Sequence, residues 1–347
     1  MSRSNEDGPL RVWVLTGDPR LPDATKRGGR YNEEDFATHR EMMAALESLP
    51  GHRFELVDDH TRLFERFSRD RRPDLVLNFC DTGFRNVARQ ELHIPAFLEM
   101  LDVPYSGAPP GCMAVCYDKA VVRLVAEAHG IPVPREAYID PEDPLDDLPR
   151  DLYPALIKPN RGDGSVGITA DAVVRSPAKA RAYLGWLRRE LPGSAALMQE
   201  YLPGPEYGVG LIGNPGLGLR ALPVMEVDFS GLPEGCTPIL CYESKALPGT
   251  PYWTDIRYRP TRAGEDVTGP MVGWSKLLFE RLRCRDYARF DFRAAADGTP
   301  HLMEVNPNPA WASDGKLALM AGFAGIGYPE MLGMILDAAR RRVGPPA

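Results

Sequence analysis

The sequence predicts an α/β fold that begins with a parallel α/β unit and ends in mixed α+β regions. Three observations support this prediction. Short apolar strands alternate with helical patterns over about the first 110 residues, as in parallel α/β units of ordinary domain size. Near the other end, two short segments alternate polar and apolar residues, which is typical of half-buried strands. A chain of 347 residues is also long enough for two or three domains.

The composition excludes several classes of protein. Hydrophobic residues make up 44% of the chain and charged residues 26%, as in ordinary globular enzymes. The net charge of −7 argues against nucleic-acid binding, so an anionic nucleotide needs local clusters of Lys and Arg. No apolar run approaches the roughly 20 residues of a membrane span, and the N-terminus lacks the apolar segment of a secretion signal. We therefore expect a cytoplasmic protein without a membrane partner.

The cysteines form no CxxC pair and show no spacing typical of a zinc site. Reduced, mostly buried thiols are the prediction, as in other cytosolic proteins. The cysteines are Cys80, Cys112, Cys116, Cys236, Cys241 and Cys284.

The N-terminal unit is predicted from its strand–helix alternation. Residues 11–15 form an apolar strand that ends in a polar, glycine-rich loop. Asn32 then caps a helix. A second strand at 74–78 and a helix at 94–101 complete the unit. The apolar side of the capped helix is predicted to contain Phe36, Met43 and Leu46.

The rest of the chain is predicted to be rich in short strands. A helix over 118–130 stops at Gly130, and 141–151 is a Pro- and Asp-rich connection. Strands are expected at 155–158, 167–169, 197–199, 207–212, 221–227, 239–242, 287–292 and 302–308. Further helices are expected around Leu184, Leu187 and Leu191, over 271–282, and over 329–341.

The strands at 287–292 and 302–308 carry the most informative polar residues. Side chains two apart on a strand share a face, which places Arg289 with Asp291 and Glu304 with Asn306. If the strands pair, two carboxylates, an amide and a guanidinium come together. Such oxygen ligands suit Mg²⁺ held against phosphates, and an adjacent Arg suits developing phosphoryl charge. A hairpin whose polar face meets water explains the pattern equally well when it is taken alone.

Residues 162–167 formally match the glycine pattern GxGxxG. A strand precedes this loop, but an extended segment rather than a helix follows it, which argues against a dinucleotide-binding fold. A hairpin with flexible glycines is one reading, and a flap that folds over phosphates is the other. Lys158 favours the flap, because a Lys at the end of an apolar strand is costly unless it meets an anion.

Two further features fit a nucleotide site, although each has a simpler explanation. Lys119 opens a predicted helix, the unfavourable end for a cation unless an anion lies nearby; it is otherwise a solvated surface residue. Residues 199–206 lead from a strand into a proline-punctuated bend. This bend is suited to hold an adenine through its backbone, with Glu206 on the ribose, or it is simply a turn.

Taken in order, these stretches resemble the ATP-grasp superfamily and, within it, the D-alanine–D-alanine ligase family. The likeness runs from about Trp13 to the C-terminal helix and is most specific for the ATP half of the site. The stretches that carry it are 94–107, 117–119, 130–134, 157–167, 199–206, 242–245, 289–291 and 304–309.

The resemblance implies three domains, with ATP bound between the last two. An N-terminal α/β domain would span 1–112, a small central α+β domain 113–204, and a C-terminal α+β domain 205–347. The implied cofactors are ATP and two Mg²⁺ ions, with Mn²⁺ as an alternative ion. The implied reaction joins a carboxylate to an amine through an acyl phosphate.

The resemblance also assigns roles residue by residue. The phosphates would meet Lys119, Lys158, Lys245, Gly162, Gly164 and Ser165. The adenine hinge would contain Gln199, where the family usually has Glu, with Glu200, Tyr201 and Leu202, and Glu206 would take the ribose. The metal ligands would be Asp291, Glu304 and Asn306. The catalytic residues would be Arg289, Lys245 and Glu33.

The substrate side departs from the family pattern. Glu33 matches a Glu of the family's closing latch, but Gly164 stands where the family has Ser and Ala246 where it has Tyr. The family His after the second predicted strand is also missing. Candidate substrate residues are Glu33, Asn308, Ala310, Gly315 and Lys316.

These departures favour a ligase for amino acids or small peptides that acts outside standard peptidoglycan synthesis. One alternative is a D-alanine–D-alanine ligase with a divergent closing loop. An alternative from another class is a nucleotide-binding protein without ligase activity. The expected partners are small-molecule substrates, and a homodimer is an expectation from the resemblance alone.

Overall fold

The computed structural model describes residues 8–69, 72–162 and 164–344. Within this part of the chain, the strands form a three-stranded, a four-stranded and a six-stranded sheet. Both parallel and antiparallel pairing occur, so the predicted mixed α/β fold is confirmed. The domain bounds after residues 112 and 204 stay a prediction. The prediction about a secretion signal concerns residues 1–7, which lie outside the described residues.

The first sheet is parallel and has the strand order β2–β1–β3. Its region contains β1 (Leu10–Leu15), α1 (Glu33–Glu47), β2 (His52–Val57), α2 (Leu63–Arg69), β3 (Leu75–Asn78) and α3 (His93–Met100), with 3₁₀ turns at Arg27–Gly29, Phe84–Asn86 and Ala88–Gln90. Neither β2 nor α2 is predicted from the sequence. Charged residues interrupt both segments, and β2 lies at the sheet edge, where burial is incomplete.

The start of α1 confirms the predicted cap. The Asn32 side chain accepts hydrogen bonds from the backbone of Glu34 and Asp35, and the Asp35 side chain accepts one from the Asn32 N–H, which forms a capping box. Of the apolar positions predicted to share one side of α1, Phe36 is 38% exposed. Leu46 is buried as predicted.

The second sheet is antiparallel, in the order β4–β7–β5–β6. Its region contains α4 (Pro110–Cys116), α5 (Lys119–Ala128), β4 (Glu136–Ile139), β5 (Ala155–Pro159), β6 (Val173–Val174), α6 (Pro177–Glu190) and β7 (Ala196–Glu200). Gly130, at φ 69°, follows the end of α5 as predicted. The strand predicted at 167–169 is wrong, because Gly167 at φ 76° turns the chain; the next strand is β6, which pairs with β5 on the side opposite β7.

The third sheet is antiparallel, in the order β11–β10–β8–β12–β13, and β9 also pairs with β8. Its region contains β8 (Glu206–Ile212), β9 (Arg220–Ala221), β10 (Met225–Asp228), α7 (Glu243–Ala246), α8 (Pro251–Thr254), β11 (Arg257–Pro260), α9 (Glu265–Arg281), β12 (Tyr287–Ala294), β13 (Pro300–Asn306), α10 (Lys316–Phe323) and α11 (Tyr328–Val343).

Three strand predictions in this region need correction. The single strand expected at 221–227 is two strands, because Pro223 has no N–H for the ladder. The segment 239–242 forms no strand; Ile239 and Cys241 are buried in a core as part of a loop, which produces the same apolar alternation. The last strand ends at Asn306 rather than at 308, because prolines follow it.

The two faces of the hairpin formed by β12 and β13 differ in character. Phe290, Phe292 and Val305 pack into a core with Met271 and Leu278 of α9. The alternating polar residues therefore lie on the opposite face, as the sequence predicts. This face is where the candidate site forms.

Among the described residues, no single helix is long and apolar enough to cross a membrane. By length and composition alone, the bent pair of α10 and α11 passes that test, with an angle of 106° between the two helices.

All six cysteines are free thiols, and five of them are buried, which confirms the prediction of reduced, mostly buried thiols. The Sγ atoms of Cys112, Cys116 and Cys284 lie within 4.8 Å of one another, a grouping that no sequence spacing announces.

Candidate active site

A groove lies between the four-stranded and six-stranded sheets and is lined by residues of both. Most of the residues predicted for the nucleotide and metal line it. They are Lys119, Lys158, Gly162, Gly164, Ser165, Glu200, Tyr201, Leu202, Glu206, Lys245, Asp291 and Glu304.

Strand pairing assembles the predicted acidic cluster. In the register of β12 and β13, Arg289 lies opposite Asn306, and Asp291 lies opposite Glu304. Arg289 donates to both oxygens of Asp291, from Nε at 2.7 Å and from Nη2 at 2.9 Å. The Asn306 amide also donates to Asp291 Oδ2 at 3.3 Å. The predicted arrangement of these four side chains is therefore present.

Neighbouring cations hold the pKa of both carboxyl groups below its ordinary value. Burial alone would raise the pKa of Asp291, but Arg289, Lys316 and Lys245 hold that pKa well below its ordinary value. Burial likewise opposes ionisation of Glu304, yet the nearby Lys119 and Lys158 lower its pKa. Charged oxygen ligands are therefore available without deprotonation.

Two lysines face this acidic cluster. Lys119 begins α5, donates to the Gly162 carbonyl, and has its Nζ 3.8 Å from Glu304 Oε2. Lys158 is 4% exposed, and its Nζ lies 3.4 Å from the Met303 carbonyl oxygen. Burial lowers the pKa of Lys158 to about 8, although the charge of Glu304 works in the opposite direction. A buried ammonium so weakly hydrogen-bonded gains from an anion in the groove.

The glycine-rich loop borders the groove beside these lysines. Gly162 and Gly164 have φ values of 110° and 63°, and Ser165 has 62°, so this backbone needs residues tolerant of left-handed conformations. The Ser165 hydroxyl donates to the Leu240 carbonyl at 3.4 Å. Asp163 lies outside the described residues. The loop joins β5 to the segment before β6 and leads into no helix, which confirms the argument against a dinucleotide-binding fold.

The hinge between β7 and β8 is held by Arg293, a residue that sequence analysis missed. Its guanidinium donates to the Leu202 carbonyl at 2.6 Å, to Glu206 at 3.1 Å and to the Tyr201 hydroxyl at 3.1 Å. The alternation that pairs Arg289 with Asp291 continues to Arg293. Extending the predicted strand 287–292 by one residue would have included it.

Gln199 lies on β7, just before the hinge. It pairs with Leu156, which lines the groove, so the two side chains share a face of the sheet. Its Nε2 donates to Glu136 at 2.8 Å, while its buried Oε1 has no hydrogen-bond partner in the described residues. Glu136, whose pKa is raised by burial, is a second residue that sequence analysis did not single out.

The comparisons with known proteins bear on this geometry. The family model for the D-ala D-ala ligase C-terminus matches residues 140–337, more than half of the chain. The chain belongs to the D-alanine–D-alanine ligase family. It is therefore an ATP-dependent ligase that forms a C–N bond, as predicted.

Curated relatives of this ligase include proteins with and without an assigned activity. The uncharacterised protein y4sG of Sinorhizobium fredii is 29% identical over 309 residues, which cover 87% of each chain. The D-alanine–D-alanine ligase of Bordetella avium is 28% identical over 257 residues, covering 73% of this chain and 75% of that one.

Solved structures confirm the fold of the ligase. The D-alanine–D-alanine ligase from Bacillus anthracis complexed with ATP aligns with a TM-score of 0.71 at 21% identity, over 96% of this chain and 98% of that one. The VanG D-Ala:D-Ser ligase from Enterococcus faecalis aligns with a TM-score of 0.68 at 16% identity, over 96% and 100% of the two chains.

The ligase does not bring all predicted substrate residues to the groove. Glu33 is 81% exposed at its side chain and pairs with Arg40 at 2.5 Å, because its place in the first turn of α1 directs it to solvent. The prediction that it contributes to the site is not supported by this arrangement. Asn308 instead accepts from the Ala108 backbone at 2.9 Å and so fixes a turn.

The segment after Asn308 reaches the groove only at its end. Ala310 is exposed, and Gly315 caps α10 in a turn where a Cβ atom would lie 3.0 Å from the Ala312 carbonyl oxygen. Lys316, the first residue of α10, does line the groove, with its Nζ 5.8 Å from the centre of the Tyr258 ring. Among the predicted substrate residues, Lys316 is thus the one this structure places there.

Proposed function

We propose that this ligase uses ATP and Mg²⁺ to join the carboxylate of one amino acid or small peptide to the amine of another, outside standard peptidoglycan synthesis. The observation that carries the proposal is the groove in which Asp291 and Glu304 face Lys119 and Lys158 beside Arg289. This charge distribution matches a metal-bound triphosphate, which needs anionic ligands for the metal and cations for the phosphate oxygens.

The donor set fits a divalent cation with hard ligands. Asp291, Glu304 and Asn306 offer two ionised carboxylates and an amide oxygen, the ligand types preferred by Mg²⁺ and also accepted by Mn²⁺. When bound, such an ion would neutralise phosphate charge in the transition state. Asp291 would then exchange part of its pairing with Arg289 for the metal.

The nucleotide would lie along the groove, with the phosphates toward the lysines and the base toward the hinge. Lys119, Lys158 and Lys245 would meet the phosphates, together with backbone N–H groups of the glycine-rich loop. The backbone of Glu200, Tyr201 and Leu202 would contact the adenine. Gln199 Oε1, which has no hydrogen-bond partner among the described residues, would accept from the exocyclic amino group of the base. Glu206 would accept from the ribose hydroxyls.

The reaction that this arrangement supports has two steps. An oxygen of the first substrate's carboxylate attacks the γ-phosphorus, and the bond to the bridging oxygen breaks, which gives an acyl phosphate and ADP. The unprotonated amine of the second substrate then attacks the acyl carbon. The bond to phosphate breaks, and the departing phosphate takes up the amine proton. Arg289 would stabilise the charge that develops in both steps.

The substrate residues support an amino acid or peptide other than D-alanine as the preferred partner. Gly164 and Ala246 lack the hydrogen-bonding side chains of the family latch, and Glu33 points to solvent. Lys316 provides a positive charge beside Asp291, where the carboxylate of the second substrate would be held. Since relatives named D-alanine–D-alanine ligase match most of this chain, that activity is the second candidate.

ADP release measured over a panel of D- and L-amino acids and dipeptides tests the proposal. We expect turnover with a defined amine–carboxylate pair and slower turnover with D-alanine alone. D-alanine as the best single substrate would instead support the second candidate. Absence of turnover with every pair, in a protein that still binds ATP, would favour a nucleotide-binding protein without ligase activity.

The variant Glu304→Ala separates catalysis from simple binding. A ligase should lose turnover by orders of magnitude, since stabilisation of charge by bound metal carries several kcal/mol. A protein that only binds nucleotide would lose affinity and have no turnover to lose. The conservative variant Glu304→Gln keeps the size of the side chain and removes its charge, which shows whether the charge is what matters.

A further inference from the structure

Every nitrogen of the buried Arg293 guanidinium donates a hydrogen bond. It is 4% exposed, and it lies on β12, two residues after the candidate metal ligand Asp291. Its Nε donates to the Leu202 carbonyl at 2.6 Å, and its Nη2 donates to the Pro238 carbonyl at 2.6 Å. Its remaining bonds reach Glu206 and the Tyr201 hydroxyl, both at 3.1 Å. The whole guanidinium fork is therefore engaged.

The groups that Arg293 binds all belong to one wall of the groove. Tyr201, Leu202 and Glu206 line the groove directly, and Pro238 immediately precedes the lining residues Ile239 and Leu240. The guanidinium carbon also lies 5.1 Å from the centre of the Tyr201 ring. One residue thus connects β12, the hinge and the loop before α7, which are separated by many positions in the sequence.

The bond to Glu206 fixes the carboxylate in one orientation. Arg293 Nη1 donates to Glu206 Oε2, while Oε1 has no partner in the described part of the chain. A carboxylate held through one oxygen presents the other as an acceptor for a hydroxyl group. Because the charge-assisted bond fixes this geometry before binding, less conformational freedom is lost when the nucleotide enters.

We infer that Arg293 is a positioning residue that sets the affinity of the ligase for ATP and its recognition of the ribose. This inference rests on the proposed nucleotide site. Arg293 shapes the backbone of the hinge through Leu202, the neighbouring loop through Pro238, and the ribose acceptor through Glu206. A planar fork of N–H donors is required for this, and the ammonium of Lys cannot supply it.

Nucleotide binding measured by isothermal titration calorimetry tests the inference, with ATP and with 2′-deoxyATP in the presence of Mg²⁺. The variants are Arg293→Lys and Arg293→Met, and Arg259→Lys is the matched control. Arg259 also binds two carboxylates of the same sheet, Glu226 and Asp228, but lies outside the groove lining. We expect both Arg293 variants to weaken ATP binding by at least about tenfold, and the control to bind as the wild type does.

The ribose readout distinguishes positioning from a purely structural role. The wild type should bind 2′-deoxyATP more weakly than ATP, and this difference should shrink in both Arg293 variants, because Glu206 is no longer oriented. If Arg293→Met unfolds, Arg293→Lys still tests the positioning role, because it retains the positive charge but lacks the planar set of N–H donors. The double variant Arg293→Met with Glu206→Gln also removes the carboxylate that Arg293→Met leaves unpaired. It should show the same loss of the preference for ATP over 2′-deoxyATP.

Three outcomes overturn the inference. Unchanged ATP affinity in folded Arg293 variants does so, and so does an unchanged preference for ATP over 2′-deoxyATP. Full rescue by Lys would show that charge alone matters. Each of these results leaves the proposed ligase activity intact, whereas a wild-type protein that binds neither nucleotide would refute the proposed function itself.

Discussion

Replacement of Asp291 by Asn is the sharpest perturbation of the proposed site. The change keeps the size and shape of the side chain but removes the charge that pairs with Arg289 and would bind the metal. In the structure, Asp291 accepts two hydrogen bonds from Arg289, and the two side chains are 8% and 11% exposed. The variant therefore leaves a buried guanidinium with a weaker partner.

The cost in stability follows from that burial. Removal of one partner from a buried ion pair costs about 3–5 kcal/mol. The charge of Glu304 also stabilises the charged form of Arg289, so we expect the lower end, about 3 kcal/mol. Because domains are stable by about 5–15 kcal/mol, the variant should remain mostly folded. Turnover, in contrast, should fall by about a hundredfold to a thousandfold, as when a preorganised electrostatic group is lost.

The two effects are measured separately. Urea unfolding gives the change in the free energy of unfolding, and ADP release at saturating ATP and Mg²⁺ gives kcat. Asp228→Asn is the control, because Asp228 also binds an Arg of the same sheet, Arg259, but lies outside the groove lining. It should leave kcat unchanged. A folded Asp291→Asn protein whose kcat stays within about threefold of the wild type would refute the assigned role.

The remaining predictions concern other parts of the molecule. The pKa of Lys158 is lowered to about 8, so the side chain loses its charge above that pH; KM for ATP should rise between about pH 7 and pH 9.5, and less so in Lys158→Arg. A flat KM in the wild type would contradict the phosphate role. Lys316→Ala should raise KM for the second substrate by about tenfold while KM for ATP stays constant, and Lys316→Arg should retain part of the affinity; equal effects on both substrates would argue against a carboxylate site. Five of the six thiols are buried, so a thiol reagent should titrate Cys236 alone in the native protein and all six in guanidinium chloride. Rapid labelling of further thiols in the native state would disprove the buried arrangement.

Local patterns predicted much of the fold correctly. The polar alternation of β12 and β13, the cap at Asn32 and the stop at Gly130 all depend on a few neighbouring residues, and the structure contains each of them. Strand predictions that depended only on alternating apolar residues were wrong where the segment has no partner strand. The alternation at 239–242 comes from a buried loop, since apolar periodicity reports burial and carries no information about hydrogen bonding.

In the candidate site too, features that depend on local sequence were predicted and features that depend on distant contacts were not. Lys119, Lys158 and Glu304 are recognisable in the sequence because charged residues stand out against apolar segments, and the structure brings them to one groove. The place of Glu33 was not predictable, since the direction of a side chain at the start of a helix depends on how the helix packs. The contacts of Arg293 depend on residues that lie far away in the sequence.

From the amino-acid sequence alone one can read which side chains share a face of each strand, where helices begin, and which chemical groups could bind a nucleotide and a metal. These properties follow from the geometry of a few consecutive peptide units. Three features are visible only in the folded chain: Arg293 holds the hinge, Glu33 faces solvent, and Lys316 reaches the groove. Contacts of that kind depend on sheet order and on burial summed over the whole chain, which no local pattern records.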